Sequence, residues 1–179
     1  MKKRLITLMA MAFVCTSVAA QDKNSKPLAE PLPHKVENVE LLSLDNETAK
    51  FPHWGEKHLL IFYVDPDKHS QNHEFTVEIE ENHAAAGENI YGIGILNLKD
   101  TWLPNSVVRT IARKRTEKNG ATILADTERA LAKKWGLGDC NNQFVLMLVS
   151  KDGELVFCKK GELSEADKAD FYEMVKKYR

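Results

Sequence analysis

Residues 144–163, FVLMLVSKDGELVFCKKGEL, decide how this chain is read. Phe144 to Val149 is an unbroken apolar run of strand length, and Glu154 to Cys158 has the composition of a second strand. Asp152-Gly153 between them is a strong hairpin signal, because glycine takes the positive φ that tight turns need. Pairing Ser150 with Leu155 sets Cys158 opposite Met147. Ser164, followed three residues later by Asp167, then opens a final helix whose Phe171, Met174, Val175 and Tyr178 face inward.

Working upstream, ILADTERALAKKWGL (123–137) supplies a short strand, Thr122 to Ala125, and a helix carrying Leu131 and Trp135. Asp126 is a good N-cap for that helix and Gly136 closes it. Pro104-Asn105 opens an earlier helix with Val108, Ile111 and Ala112 on its apolar side. Ile90 to Leu96 reads as a central strand. Its Gly92 and Gly94 share one face, where a helix approaches closely or the strand bends.

His58 to Val64, HLLIFYV, is the strand expected to be buried on both faces, and it stops at Asp65-Pro66. A helix from about Ser70 to Ala86 follows it, with Phe75, Ile79 and Ala86 at helical spacing. Val39 to Leu44 and Ala49 to Phe51 flank Asp45-Asn46-Glu47 as a short N-terminal hairpin. After that hairpin the order is β-α-β-α-β-α-β-β-α. Such alternation gives an α/β fold, a mixed sheet with helices on both faces.

The N-terminus has a different composition. Lys2, Lys3 and Arg4, the apolar run Leu5 to Cys15, and Val18-Ala19-Ala20 have the pattern of a cleaved signal peptide over residues 1–20. The run falls short of the roughly 20 apolar residues a membrane span needs, and no second stretch supplies one. Residues 21–35, with Ser25, Pro27, Pro31 and Pro33 among charges, read as a flexible leader to a single domain over 36–179. Export to a periplasmic or extracellular space is therefore expected.

Of 25 Lys and Arg, three leave with residues 1–20, so the mature chain carries 22 against 26 Asp and Glu, a net charge of −4. That balance argues against nucleic acid as a partner. Cys140 and Cys158 remain after processing. Projected along the strands they lie seven positions apart, over 20 Å at about 3.3 Å per residue, too far for a disulfide. Two separate thiols, at least one buried, are expected.

The order of elements resembles the thioredoxin-like plan of exported, peroxiredoxin-related proteins. More narrowly the chain resembles the YtfJ family of periplasmic proteins. The residues that carry the likeness are VDPD (Val64 to Asp67), NLKDTWLPN (Asn97 to Asn105), KKWGL (Lys133 to Leu137) and SKDGELVFCKKGELS (150–164). The resemblance spans about residues 36–178 and implies a thioredoxin-like fold, but brings no established reaction with it. It also implies where redox chemistry would sit. Active thioredoxins place Cys-x-x-Cys where the first buried strand meets its helix, and peroxiredoxins place their reactive cysteine there. Here that junction is Asp65 to His73, without cysteine. The counterpart of the usual cis-proline loop is Cys140-Asn141-Asn142-Gln143, without proline. Ordinary disulfide exchange is therefore not expected.

Several groups of residues are candidates for a site. His69 and His73 stand at i, i+4 beside Asp65 and Asp67, a donor set that suits zinc, nickel or copper if the helix runs back to His69. The competing reading is a polar helix start with Asp67 or Ser70 as cap. Trp102, with Asn97, Lys99 and Asn105, either forms an exposed platform or covers a core edge beside Leu103. Cys140 is either an accessible thiol or a bystander, and Cys158 packs on a strand. Arg109, Arg113, Lys114, Arg115 and Lys118 are either the solvated side of a helix or a dock for an anionic partner or headgroup.

Three functional expectations follow. The leading one is a redox-silent binding or accessory protein that takes a protein or small ligand on Asp65, Asp67, Trp102, Asn141 and Asn142, without a cofactor. The second is a divalent-metal protein using His69 and His73. The third is an atypical thiol oxidoreductase built on Cys140.

Overall fold

The computed structural model describes residues 28–179; the signal-peptide reading concerns residues outside this range. Among the described residues eight strands form one mixed sheet: β1 (His34–Lys35), β2 (Leu41–Leu42), β3 (Thr48–Ala49), β4 (His58–Val64), β5 (Ile90–Asn97), β6 (Ile123–Asp126), β7 (Phe144–Val149) and β8 (Glu154–Lys160). Their spatial order is β1-β8-β7-β4-β5-β6-β2-β3. β4, β5 and β6 run parallel, and β7 pairs antiparallel with both β4 and β8.

The helices are α1 (His73–Glu81), α2 (Asn105–Asn119), α3 (Ala130–Lys134) and α4 (Glu165–Tyr178). Both parallel crossovers, through α1 and α2, step the same way along the sheet, so right-handed connection puts both helices on one face. α1 and α4 pack there through Phe75, Ile79, Phe171 and Val175 on Leu60, Leu146 and Leu148. Val108 of α2 packs with Leu98, Ala125 and Leu96 beside them. The opposite face carries α3, whose Leu131 and Trp135 join Ile61, Tyr63, Ile95 and Met147.

The C-terminal third follows the sequence closely. Met147 stands opposite Cys158, with a bulge at Leu148/Val149. Ser164 and Asp167 form a reciprocal capping box, and Gly136 takes φ +63° beyond α3. Elsewhere the structure corrects the reading. Residues 28–35 are no free leader: β1 pairs with β8, the Ala29 N–H donates to the Gly136 carbonyl at 2.9 Å, and Leu28 and Leu32 pack on the core. Among the described residues no helix comes close to Gly92, so of the two readings close approach fails there; Gly92 is exposed, with open space where a Cβ would stand. On α2 it is Arg109 that is buried beside Val108 and Ala112, while Ile111 points to solvent at 62% exposure. The cause is a long-range partner, since the Arg109 guanidinium donates to the Ser43 carbonyl at 2.6 Å. No helix among the described residues is long and apolar enough to cross a membrane.

Candidate functional site

Parallel strands β4, β5 and β6 end together, and their outgoing loops meet residues 138–143 at that edge. This is where open α/β sheets bind ligands. Asp65 follows β4 directly and is fully buried. Its Oδ1 accepts the Asp67 N–H at 2.9 Å, and its Oδ2 accepts the Asn142 N–H at 2.7 Å. Its own N–H donates to the Gln143 carbonyl at 3.1 Å. The aspartate thus clasps the loop read from sequence as the proline-free counterpart of the usual cis-proline loop, and Asn142 supports the bend at φ +54°. Burial raises the Asp65 pKa, and the two backbone donors pull against that rise.

Three more carboxylates continue the pattern. Asp67 accepts the Thr101 hydroxyl at 2.8 Å and the Trp102 N–H at 3.2 Å, tying the β4 exit to the β5 exit. The Asp100 side chain, 1% exposed, takes Asn97 Nδ2 at 2.7 Å and a two-nitrogen fork from Arg129. Asp126 accepts the backbone N–H groups of Glu128, Ala130 and Leu131, and the Tyr63 hydroxyl at 3.3 Å. Burial and then the neighbouring Asp126 push the Tyr63 pKa far upward, so that hydroxyl stays protonated. Asn97 is fully buried, and its Oδ1 has no hydrogen-bond partner among the described residues.

The histidine pair does not form as the spacing suggests. A 3-10 turn over Pro66–Lys68 ends at His69, and α1 starts only at His73 because Asn72 adopts a left-handed conformation, φ +61°. Asn72 is held there from a distance: its Nδ2 donates to the Gly161 carbonyl at 2.9 Å, and its Oδ1 accepts the Leu163 N–H at 2.8 Å. Gln71 Oε1 accepts the Phe144 N–H at 2.9 Å in the same way. The two imidazoles therefore do not share a helical face, and His69 turns its Nδ1 to the Pro66 carbonyl at 3.1 Å. Among the described residues no group of three or more His, Cys, Asp or Glu is arranged to hold a metal ion. The aspartates are turned toward N–H and O–H donors instead.

The thiols are buried and form no disulfide, and Cys140 Sγ donates to the Gly138 carbonyl at 3.8 Å. Lys160 Nζ donates to the Leu137 carbonyl at 2.8 Å, folding residues 137–140 back over β8. Cys140 and Cys158 line the same core cluster as two separate free thiols, as expected. Cys140 is 3% exposed, which removes the accessible-thiol reading. Burial pushes both thiol pKa values up to about 12.

Of the sequence candidates, Asp65, Asp67, Trp102, Asn141 and Asn142 do converge on this edge. The first two act inside the loops; Asn141, Asn142 and Trp102 are exposed, Trp102 at 80%. Lys99 pairs with Glu128, and Asn105 merely begins α2. Sequence reasoning missed Asp100 and Arg129 as an ion pair, and Gln71 and Asn72 as anchors. Asp100 lies inside the quoted NLKDTWLPN, but its partner is 29 residues away, so no local spacing announces it.

No family model and no curated protein matches the chain. Solved structures do. A DsbF homologue from Corynebacterium diphtheriae is 14% identical at a TM-score of 0.59, covering 87% of this chain and 96% of that one. The exposed lipoprotein thioredoxin of Streptococcus pneumoniae is 13% identical at 0.55, covering 77% and 99%. A peroxiredoxin-like protein from Aquifex aeolicus is 12% identical at 0.54, covering 83% and 91%. Likeness at such identity shows a shared architecture: the chain has the thioredoxin-like fold.

Proposed function

We propose that this is an exported, YtfJ-related protein that uses the thioredoxin-like fold for binding rather than for thiol chemistry. Its recognition surface is the loop edge bearing His69, Asn141 and Asn142, held rigid from beneath by Asp65 and Asp67. One observation carries this reading. The strand-to-helix junction at β4, where the fold's redox enzymes hold an attacking thiolate, is here a buried aspartate with both oxygens occupied by backbone donors. Chemistry elsewhere would fall to Cys140. At a pKa of about 12 only about one thiol in 10⁵ is ionised at neutral pH, and the thiolate is the reactive species.

Insulin reduction and peroxide consumption, each measured for wild type and Cys140→Ser, test the reading. Both proteins should match the buffer control. Turnover in wild type that disappears in Cys140→Ser would overturn it and restore the thiol enzyme. On the positive side, cross-linking in periplasmic extract should recover a partner that is lost with His69→Ala/Asn141→Ala.

A further inference from the structure

Beneath the exposed rim of the loop edge lies an acceptor that no described residue uses. Asn97, at the end of β5, is 0% exposed, and its Nδ2 donates to Asp100 Oδ2 at 2.7 Å and to the Cys140 carbonyl at 3.4 Å. Both of those partners are acceptors, so the amide is fixed in this sense, and its Oδ1 is left buried without a donor among the described residues. A buried acceptor left unpaired is costly, and native folds rarely keep one without a use.

Carboxylates surround it. Asp100 and Asp126 both lie close enough to act on Tyr63 and Cys140, Asp67 and Asp100 act on Asp65, and Asp139 adjoins Cys140. Among the described residues the ion pair made with this group is that of Arg129, whose Nε donates to Asp100 Oδ1 at 2.7 Å. These side chains are ordered from solvent inward: Arg129 is 49% exposed, Asp100 1% and Asn97 0%. The guanidinium is thus an outer cover. Displacing it uncovers Asp100 and, behind it, the unpaired oxygen. Both of its bonding nitrogens go to Asp100 Oδ1, and none serves Asn97.

We infer that Asp100 and Asn97 form a cation subsite of the loop edge, covered by Arg129 and opened when a primary ammonium group of the partner takes the place of the guanidinium. The inference rests on the loop edge being the recognition surface. Charge selects a cation, and the unused acceptor selects an ammonium. The guanidinium fork spends its donors on one oxygen, whereas a compact ammonium has three donors pointing apart and can bond Asp100 and Asn97 Oδ1 together. Trp102, 80% exposed and fastened through its N–H to Asp67 at 3.2 Å, adds an indole to the same rim, where an alkyl stem can lie. The ammonium comes from a lysine side chain or from a chain N-terminus.

Isotope-labelled protein, titrated by NMR and followed at the Asn97 side-chain amide, tests the subsite. The probes are N-acetyl-lysine amide for the side chain and glycylglycine amide for the N-terminus. At least one should shift the Asn97 amide with a dissociation constant of roughly 1 mM, and which one does so names the source. Arg129→Ala removes the competing cation and should bind that probe roughly tenfold more tightly. Asp100→Asn, checked for folding by circular dichroism, should bind it at least roughly tenfold more weakly. N-acetyl-norleucine amide, which lacks the charge, and tetramethylammonium, which lacks the N–H donors, should leave the Asn97 amide unmoved. No shift with either amine would mean that a water alone serves Oδ1, and would overturn the subsite. An equal shift with potassium chloride at matched ionic strength would overturn it too, as would an Arg129→Ala protein that binds no more tightly than wild type. The thiol assays and the cross-linking use neither probe, so failure here is distinct from failure of the loop-edge reading.

Discussion

Asp126 and Asp65 stand in equivalent places and do different work. Each marks the point where a parallel central strand leaves the sheet, and each buries a carboxylate there. Asp126 spends its oxygens on Glu128, Ala130 and Leu131, all within five residues, and so takes up the first free N–H groups of α3 from the end of β6, although the N-cap position itself falls to Arg129 rather than to Asp126 as expected. Asp65 gives one oxygen to Asp67 and the other to Asn142, 77 residues away. One aspartate starts a helix; the other fastens two loops. A carboxylate at a strand exit is thus a device for collecting backbone donors, and the donors within reach decide whether the result is a cap or a site frame.

The comparison can be broken energetically. Asp126→Ala leaves three backbone N–H groups and the Tyr63 hydroxyl without their acceptor in a dry interior. The expected loss is about 3 kcal/mol, a shift of about 1.5 M in the urea midpoint. Asp65→Ala should cost less, about 1.5 kcal/mol, because the mutation also removes a carboxylate that is costly to bury. Hydrogen exchange separates the roles further. The Asn142 amide should lose protection in Asp65→Ala and keep it in Asp126→Ala. If both mutants expose Asn142 equally, the division between local cap and remote clasp has no content.

The same division explains what the sequence disclosed. Asp126 as an acceptor at the start of α3 (though not its N-cap, which is Arg129), Gly136 as a stop, the Ser164–Asp167 box and the Met147–Cys158 register all depend on neighbours close in sequence, and all were legible. The start of α1 was misplaced because Asn72 answers to Gly161 and Leu163, about 90 residues on. Ile111 was placed inside because helical period alone cannot know that Ser43 draws Arg109 inward. Cys140 was given a chance of exposure because nothing nearby in sequence shows Lys160 folding its loop over β8. Asp65 and Asp67 were singled out in the candidate loops, but as groups facing a ligand or metal; that they bind the loops to one another, and that Asp100 joins them, was not legible.

Titration sharpens the contrast within Asp65 itself, where burial opposes two backbone donors. Burial prevails, so its folded pKa lies above the value in the unfolded chain, 3.8. A group shifted in that direction holds its proton more tightly when folded. Its contribution to stability is full below the unfolded pKa and is lost as pH rises through the folded pKa. Asp65→Asn removes the titration while keeping a similar shape, and the other carboxylates, present in both proteins, largely cancel in the difference. The stability of wild type minus that of Asp65→Asn should therefore be greatest near pH 3.5 and decline to a plateau toward pH 7, read from urea midpoints at each pH. A difference that grows with pH would mean that the Asp67 and Asn142 amides outweigh burial. Asp65 would then be a clasp that strengthens on ionising, and the loop edge would be held tightest at neutral pH rather than in acid.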